Sequence, residues 1–175
     1  SLSGAEPVTG YNIFALEGAL NGQRFACMNS SCSVPLNQGN NDLIYWALSS
    51  FGDSSTLGSF TAKVDSQIPN ITGAVSGISG SNGWYLGPVT VTGSASDATS
   101  GLASFTCSLN GIPLSSCNTV TVNGEGAHTL VLTARYNAGL TRTLTQNPSI
   151  DSKSPTLDAS VSGTAGSNSW YTAAH

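Results

Sequence analysis

The chain has 175 residues, enough for one ordinary domain or two small ones, and 39 % of them are hydrophobic, so it can bury a core. Only 8 % are charged, against about 25 % in an average soluble protein, and Lys and Arg together number 5, which leaves no cationic cluster to neutralise nucleic-acid phosphates or to hold an acidic membrane surface. The net charge of −4 is too mild for an acidic tail, and no apolar run approaches the ~18 residues of a membrane span.

Ser, Thr, Gly, Asn and Val dominate, while Glu, Lys and Arg, which clothe most helix surfaces, are scarce. Thr and Val favour strands, and Gly and Asn favour turns, so an all-β protein of many short strands is expected. The start, Ser1-Leu2-Ser3-Gly4, has neither the basic residues nor the apolar core of a leader, so any signal peptide is expected to have been removed already. Along the first 64 residues stand Pro7-Val8-Thr9, Cys27, Cys32, the run Leu43-Ile44-Tyr45-Trp46-Ala47 and Gly52. The sequon at Asn29, and a second at Asn70, are candidate glycosylation sites.

Residues 65–150 read as strands throughout. Ile71 to Val75 is the first. Val89 to Ser94 follows, with Val89 and Val91 on one face and Thr90 and Thr92 on the other. Ala103 to Leu109 ends in a turn at Asn110-Gly111. Thr119 to Val122 is closed by Asn123-Gly124-Glu125-Gly126. His128 to Arg135 points Leu130, Leu132 and Ala134 inward, and Leu140 to Thr145 completes the set. Short antiparallel strands with regular turns over this span point to an immunoglobulin-type sandwich.

Residues 151–175 repeat residues 65–89 without a gap. Asp65-Ser66 matches Asp151-Ser152, Pro69 matches Pro155, and Val75-Ser76-Gly77 matches Val161-Ser162-Gly163. Gly80-Ser81-Asn82 matches Gly166-Ser167-Asn168, and Trp84-Tyr85 matches Trp170-Tyr171. More weakly, Leu43–Ala47 lies over Leu130–Ala134, Gly52 over Gly139, Cys32 over Cys117, Cys27 over Cys107, and Pro7-Val8-Thr9 over Pro88-Val89-Thr90. The chain therefore divides into a module lacking its first strand (1–64), a complete module (65–150), and the first strand of a further one (151–175).

The run Pro155 to Tyr171 resembles the bacterial immunoglobulin-like repeats of large secreted and cell-surface proteins. So do Val89-Thr90-Val91-Thr92, Ala95-Ser96-Asp97 with Ser100-Gly101, Gly124-Glu125-Gly126-Ala127-His128-Thr129, and Ala138-Gly139. The resemblance covers the middle module almost throughout, the last fragment strongly and the first 64 residues poorly. It implies tandem β-sandwich modules acting as spacers, stalks or adhesive arrays, and it brings no catalytic residues with it.

Four cysteines allow three pairings, and the repeat selects Cys27 with Cys32 and Cys107 with Cys117, each within its own module at equivalent places. Spacings of 5 and 10 without a nearby His do not match a zinc site. His128, inside the Gly-Glu-Gly-Ala-His-Thr turn, is expected to order that turn, and the second histidine is the terminal His175. With no Gly-x-Ser-x-Gly elbow and no paired carboxylates, no enzyme and no cofactor are expected. Calcium is a minor expectation: Asp97 sits on a loop and Asp65 and Asp151 mark module junctions, but a lone Asp before a small residue more often shapes a turn. Trp84 and Trp170 are expected to pack under the sandwich edge or against the adjoining module rather than form a sugar platform, which would require exposure. Lys63 and Lys153 are not equivalent in the repeat, which argues against isopeptide crosslinks.

The functional expectation is a structural, extracellular subunit or segment of a filament, stalk or adhesin. Either the chain is a window of a longer array, or its last strand, through Pro155, Leu157, Val161, Trp170 and Tyr171, completes the first module of the next copy, head-to-tail. The alternative is a carbohydrate-binding accessory repeat of a secreted hydrolase, with surface glycans as partner.

Overall fold

The computed structural model describes residues 1–3 and 13–174, and every regular element among them is a strand. The first unit holds β1 (Leu2–Ser3), β2 (Ile13–Leu20), β3 (Gln23–Cys27), β4 (Ser31–Cys32), β5 (Gly39–Ser49) and β6 (Gly58–Val64). The second holds β7 (Asn70–Ser76), β8 (Trp84–Tyr85), β9 (Val89–Ser96), β10 (Leu102–Leu109), β11 (Ile112–Pro113), β12 (Val120–Val122), β13 (Gly126–Ala127), β14 (Leu130–Tyr136), β15 (Thr141–Gln146) and β16 (Ser149–Ile150). The tail carries β17 (Gly163–Ala165) and β18 (Tyr171–Ala174). Pro7, Val8, Thr9 and His175 lie outside the described residues. The fold is all-β, as the composition demands.

In the second unit two antiparallel sheets stack. One has the order β12-β9-β7 and the other β11-β10-β14-β15. Alternation puts Val89, Val91 and Val122 on the inner face of the first, and Leu130, Leu132 and Ala134 on the inner face of the second; all six are fully buried. Each such aliphatic side chain larger than Ala contributes roughly 1.5–3 kcal/mol on leaving water. A third, small sheet closes one end in the order β13-β16-β8, with β8 joining β16 in parallel through Ser149 opposite Trp84 and Ile150 opposite Tyr85. Ile150 is buried there, and Tyr85 packs against the core beside it.

The sheet β3-β2-β5-β6 of the first unit repeats β11-β10-β14-β15 of the second. Hydrogen bonds fix the equivalence. At one turn Asn21 N–H donates to Asp42 O (2.9 Å) and Asn21 Oδ1 accepts from Asp42 N (2.8 Å); Asn110 does the same with Thr129 (2.8 and 2.9 Å). Both turns are Asn-Gly pairs at positive φ, Asn21-Gly22 at 51° and 81° and Asn110-Gly111 at 50° and 81°, the backbone a two-residue hairpin needs. At the other end Gly52 N–H bonds Ser49 O as Gly139 N–H bonds Tyr136 O. Finally, Gly39 lies opposite Val64 and Asn40 opposite Lys63, as Gly126 lies opposite Ile150 and Ala127 opposite Ser149.

This register corrects one sequence equivalence. Leu20 faces Leu43 and Gly18 faces Tyr45, as Leu109 faces Leu130 and Cys107 faces Leu132. The counterpart of Cys107 is therefore Gly18, and Cys27 sits farther on, in β3, across from Leu16. Both disulfides form, Cys27–Cys32 and Cys107–Cys117, but at non-equivalent places. Cys107 and Cys117 both join the buried cluster of the second unit, whereas in the first pair Cys32 is buried and Cys27 is only partly so.

Candidate functional site

In the second unit β7 lies over β14 and β15. The position of Gly73 is closed by the tips of Leu132 (3.1 Å from where a methyl would stand), Leu144 (3.2 Å) and Gln146 (3.4 Å). Gln146 Nε2 also donates to Gly73 O at 2.8 Å. The same ladder positions in the first unit are Tyr45, Gly58 and Phe60. There, among the described residues, no strand of the β7 kind lies over them. Phe60 is 58 % exposed. A cavity of about 390 Å³ opens on this face, lined by Leu2, Val34, Leu36, Leu43, Tyr45 and Phe60 among others. It is an apolar sheet face of core type without a second layer among the described residues.

The tail supplies the matching half. Residues 154–162, in the repeat of the β7 region, join no strand among the described residues. Pro155 is exposed, Leu157 is 95 % exposed and Val161 76 % exposed, although Ile71, in the place of Leu157, is buried. No strand forms over Leu157 to Val161 in the single chain, because a strand needs a partner for its backbone groups. The hairpin that follows is already made. Gly166 N–H bonds Trp170 O (2.6 Å) and Trp170 N–H bonds Ser167 O (3.2 Å), as Gly80 bonds Trp84 O (2.7 Å) and Trp84 bonds Ser81 O (3.1 Å).

The two units meet at a clasp around Asp65. Gln38 Oε1 accepts from Ser66 N (3.2 Å) and Oγ (3.0 Å), and Gln38 Nε2 donates to Asp65 Oδ1 (2.7 Å) and to Thr99 Oγ1 (3.1 Å). Asp65 Oδ2 accepts from Ser100 N at 3.1 Å, and its carbonyl accepts from the buried Tyr136 hydroxyl at 3.3 Å. Partial burial pushes the Asp65 carboxyl up, but hydrogen bonds from Ser100, Gln38 and Gln67 outweigh it and hold it below 3.8. Burial, with the Asp65 and Asp97 charges, pushes the Tyr136 hydroxyl up. At the far end of the second unit Glu125 takes the place of Gln38: its carboxylate accepts from Ser152 N (3.1 Å) and, by a short bond, from Ser152 Oγ. Those bonds, with the Lys153 charge, hold Glu125 below 4.5. Sequence reasoning missed this pair because Gln38 and Glu125 differ in residue type and their spacings differ by one, Gln38 standing 28 residues before Ser66 and Glu125 27 before Ser152.

The remaining expected sites fall as follows. Asp97 Oδ1 accepts from the backbone N–H of Thr99 (3.2 Å), Ser100 (2.9 Å) and Gly101 (3.0 Å), so it shapes its own loop. Asp97 and Asp65 converge on Ser100 N, while Asp151 stands at the opposite junction and accepts from Lys153 N. His128 Nε2 meets Gly124 O at 3.1 Å and its Nδ1 meets Asn110 Nδ2 at 3.1 Å, an arrangement that orders the turn. Asn29 and Asn70 are both exposed, Asn70 opening β7. Trp84 departs from expectation. It is 41 % exposed, because the parallel pairing turns Tyr85 rather than Trp84 against the core. Trp170 is 76 % exposed and Tyr171 52 % exposed. No helix of the described residues is long and apolar enough to cross a membrane.

No family model matches the chain, and no curated protein does. Among solved structures, the fibronectin(III)-like modules of CbhA from Clostridium thermocellum are similar at 13 % identity, with 83 % of this chain and 80 % of that one covered and a TM-score of 0.36. SGBP-B of the mixed-linkage glucan utilization locus of Bacteroides ovatus, solved with a mixed-linkage heptasaccharide, is similar at 11 % identity, with 82 % of this chain covered and a TM-score of 0.23. The chain spans 61 % of that protein's length. At these TM-scores the all-β, antiparallel fold rests on the chain's own strand pairing.

Proposed function

We propose that this chain is a structural, extracellular component of a filament, stalk or adhesin, in which immunoglobulin-like modules are completed head-to-tail by strand complementation. The observation that carries the reading is the pairing of two unfinished halves. The first unit presents a core-type face around Tyr45 and Phe60 with no β7-type strand over it among the described residues. Residues 155–161 repeat β7 and leave Leu157 and Val161 in water. An added strand satisfies backbone groups and buries apolar surface in one step. In this reading the chain performs no catalysis and needs no cofactor, and its disulfides suit an oxidising compartment.

Negative-stain electron microscopy of unreduced material tests the reading. Regular filaments are expected, and deletion of residues 151–175 should leave monomers. Discrete monomers of the intact chain at high concentration would overturn the head-to-tail assembly. A second reading, a carbohydrate-binding accessory repeat, is favoured by one observation, the exposure of Trp84 beside the exposed Leu86. Quenching of Trp fluorescence by soluble oligosaccharides, abolished in Trp84→Ala, would support it; unchanged fluorescence would remove it.

A further inference from the structure

Beyond the open sheet face, the first unit carries a second unfinished element, and it lies at the clasp. In the second unit, β16 is paired on one side with β13 and on the other, in parallel, with β8. The last bond of that parallel pair runs from Asp151 N–H to Tyr85 O at 2.9 Å. In the first unit Lys63–Val64 stands where β16 does, paired with Gly39–Asn40 as β16 is with β13. No strand of the β8 kind is added to it among the described residues. A cavity of about 540 Å³ lies against this pair. Its walls are Gly39, Lys63, Val64 and Asp65 on one side and Ser100 and Ala138 of the second unit on the other.

We propose that Trp170 and Tyr171 of a second copy add in parallel to the open edge at Lys63–Val64 and enter the cavity between the two units. This deepens the head-to-tail reading and rests on it. Trp170 comes opposite Lys63 and Tyr171 opposite Val64, the register that β8 holds on β16. The peptide N–H of Asp65 then meets the carbonyl of Tyr171. Three observations converge on this occupant. The tail repeats Trp84-Tyr85 at the right distance from its β7-like strand, so both elements dock together. The hairpin that carries Trp170 and Tyr171 is already closed, which lowers the ordering cost of binding. Its two aromatic rings are the tail's large apolar groups after Val161, and both are exposed in the single chain. Because the cavity is walled by both units, the incoming hairpin touches the second unit as well. Docking would then fix the angle between the units as well as complete the first.

The test uses variants of the 175-residue chain that each carry one added cysteine beside the two native disulfides, mixed pairwise and oxidised, so that the added thiols link only between copies. Lys63→Cys with Trp170→Cys reports the edge, and Phe60→Cys with Ala159→Cys reports the sheet face. The expected result is a mixed disulfide dimer for both pairs, several-fold above the homodimers formed by each variant alone, with the linked peptides identified by mass spectrometry. A face link without an edge link overturns this inference and leaves the assembly reading standing. Loss of both links overturns both. Hydrogen exchange on the unmodified chain guards against misfolded variants. Amides at Lys63 to Asp65 and at Tyr171 should slow together as concentration rises, and unchanged rates in filaments that do form would overturn the edge contact alone.

Discussion

Gly93→Ala and Gly73→Ala probe the packing on which the proposed strand exchange would depend. Neither glycine has a positive φ, so Ala is allowed at both, and each change gains about 0.4–1 kcal/mol from a less flexible unfolded chain. They differ in what the new methyl meets. At Gly93 it would stand 2.5 Å from the carbonyl oxygen of Cys117, where real methyl carbons do not come under 3.0 Å. That oxygen has little freedom to withdraw, since Cys117 is bonded to Cys107 and the next carbonyl, of Asn118, holds Gly93 N–H at 3.2 Å. Forced displacement of this kind costs about 1–3 kcal/mol. At Gly73 the methyl meets only side-chain tips, none closer than 3.1 Å, so a shift of a few tenths of an ångström suffices to admit it. We expect Gly93→Ala to lose about 1–2 kcal/mol and Gly73→Ala to stay within about 1 kcal/mol of the parent. Urea unfolding followed by circular dichroism measures both, with an unchanged slope showing that only stability moved. Equal stabilities, or Gly73→Ala as the weaker protein, would refute the reasoning. The outcome bears on assembly because the tail's copy of β7 has Ala159 at this position. If Ala were rejected at position 73, the two strands would not be interchangeable in kind.

Two further outcomes are expected. Ser152→Ala should raise the Glu125 carboxyl back toward 4.5, read by NMR titration; since the folded value is depressed, the Glu125 contact stabilises the junction above the unfolded pKa and is lost as pH falls through the folded one. A Glu125 titration indifferent to Ser152 would remove that contact. Ser169→Gly should tighten the tail hairpin by up to about 1 kcal/mol, because Ser169 sits at φ 64° where its repeat partner is Gly83, and the left-handed region costs a side-chain-bearing residue more than glycine loses in entropy. Stronger cross-hairpin NOEs between Thr164 and Ala173 would show it, and weaker ones would contradict it.

The second unit was legible because its strands alternate. Val89 and Val91, and Leu130, Leu132 and Ala134, declare an inner face by spacing alone, and Asn110-Gly111 names its own turn. The tail hairpin was legible as a repeat. The first unit was harder. Its register is set by Asn21-Gly22, a turn signal as strong as Asn110-Gly111, yet the cysteines drew the alignment instead and put Cys27 where Gly18 stands. Trp84 and Tyr85 could not be told apart from sequence, since two adjacent aromatics on a strand point to opposite faces and only the pairing partner decides which is inside. The clasp was hidden for a different reason: Gln38 and Glu125 do one job with two chemistries, one of them charged.

The parallel pairing of β8 with β16 has a consequence for a protein under tension. β16 lies at the exit of the second unit and β8 follows β7, so a pull between Asp65 and Asp151 loads β7 first and, once β7 yields, draws β8 and β16 past each other along their length. The hydrogen bonds between them, with Asp151 N–H on Tyr85 O among them, then resist together rather than opening one after another. A hairpin pulled at its open end unzips; this pair is loaded in shear, and it would act as a mechanical latch that holds the sandwich closed while the chain carries force.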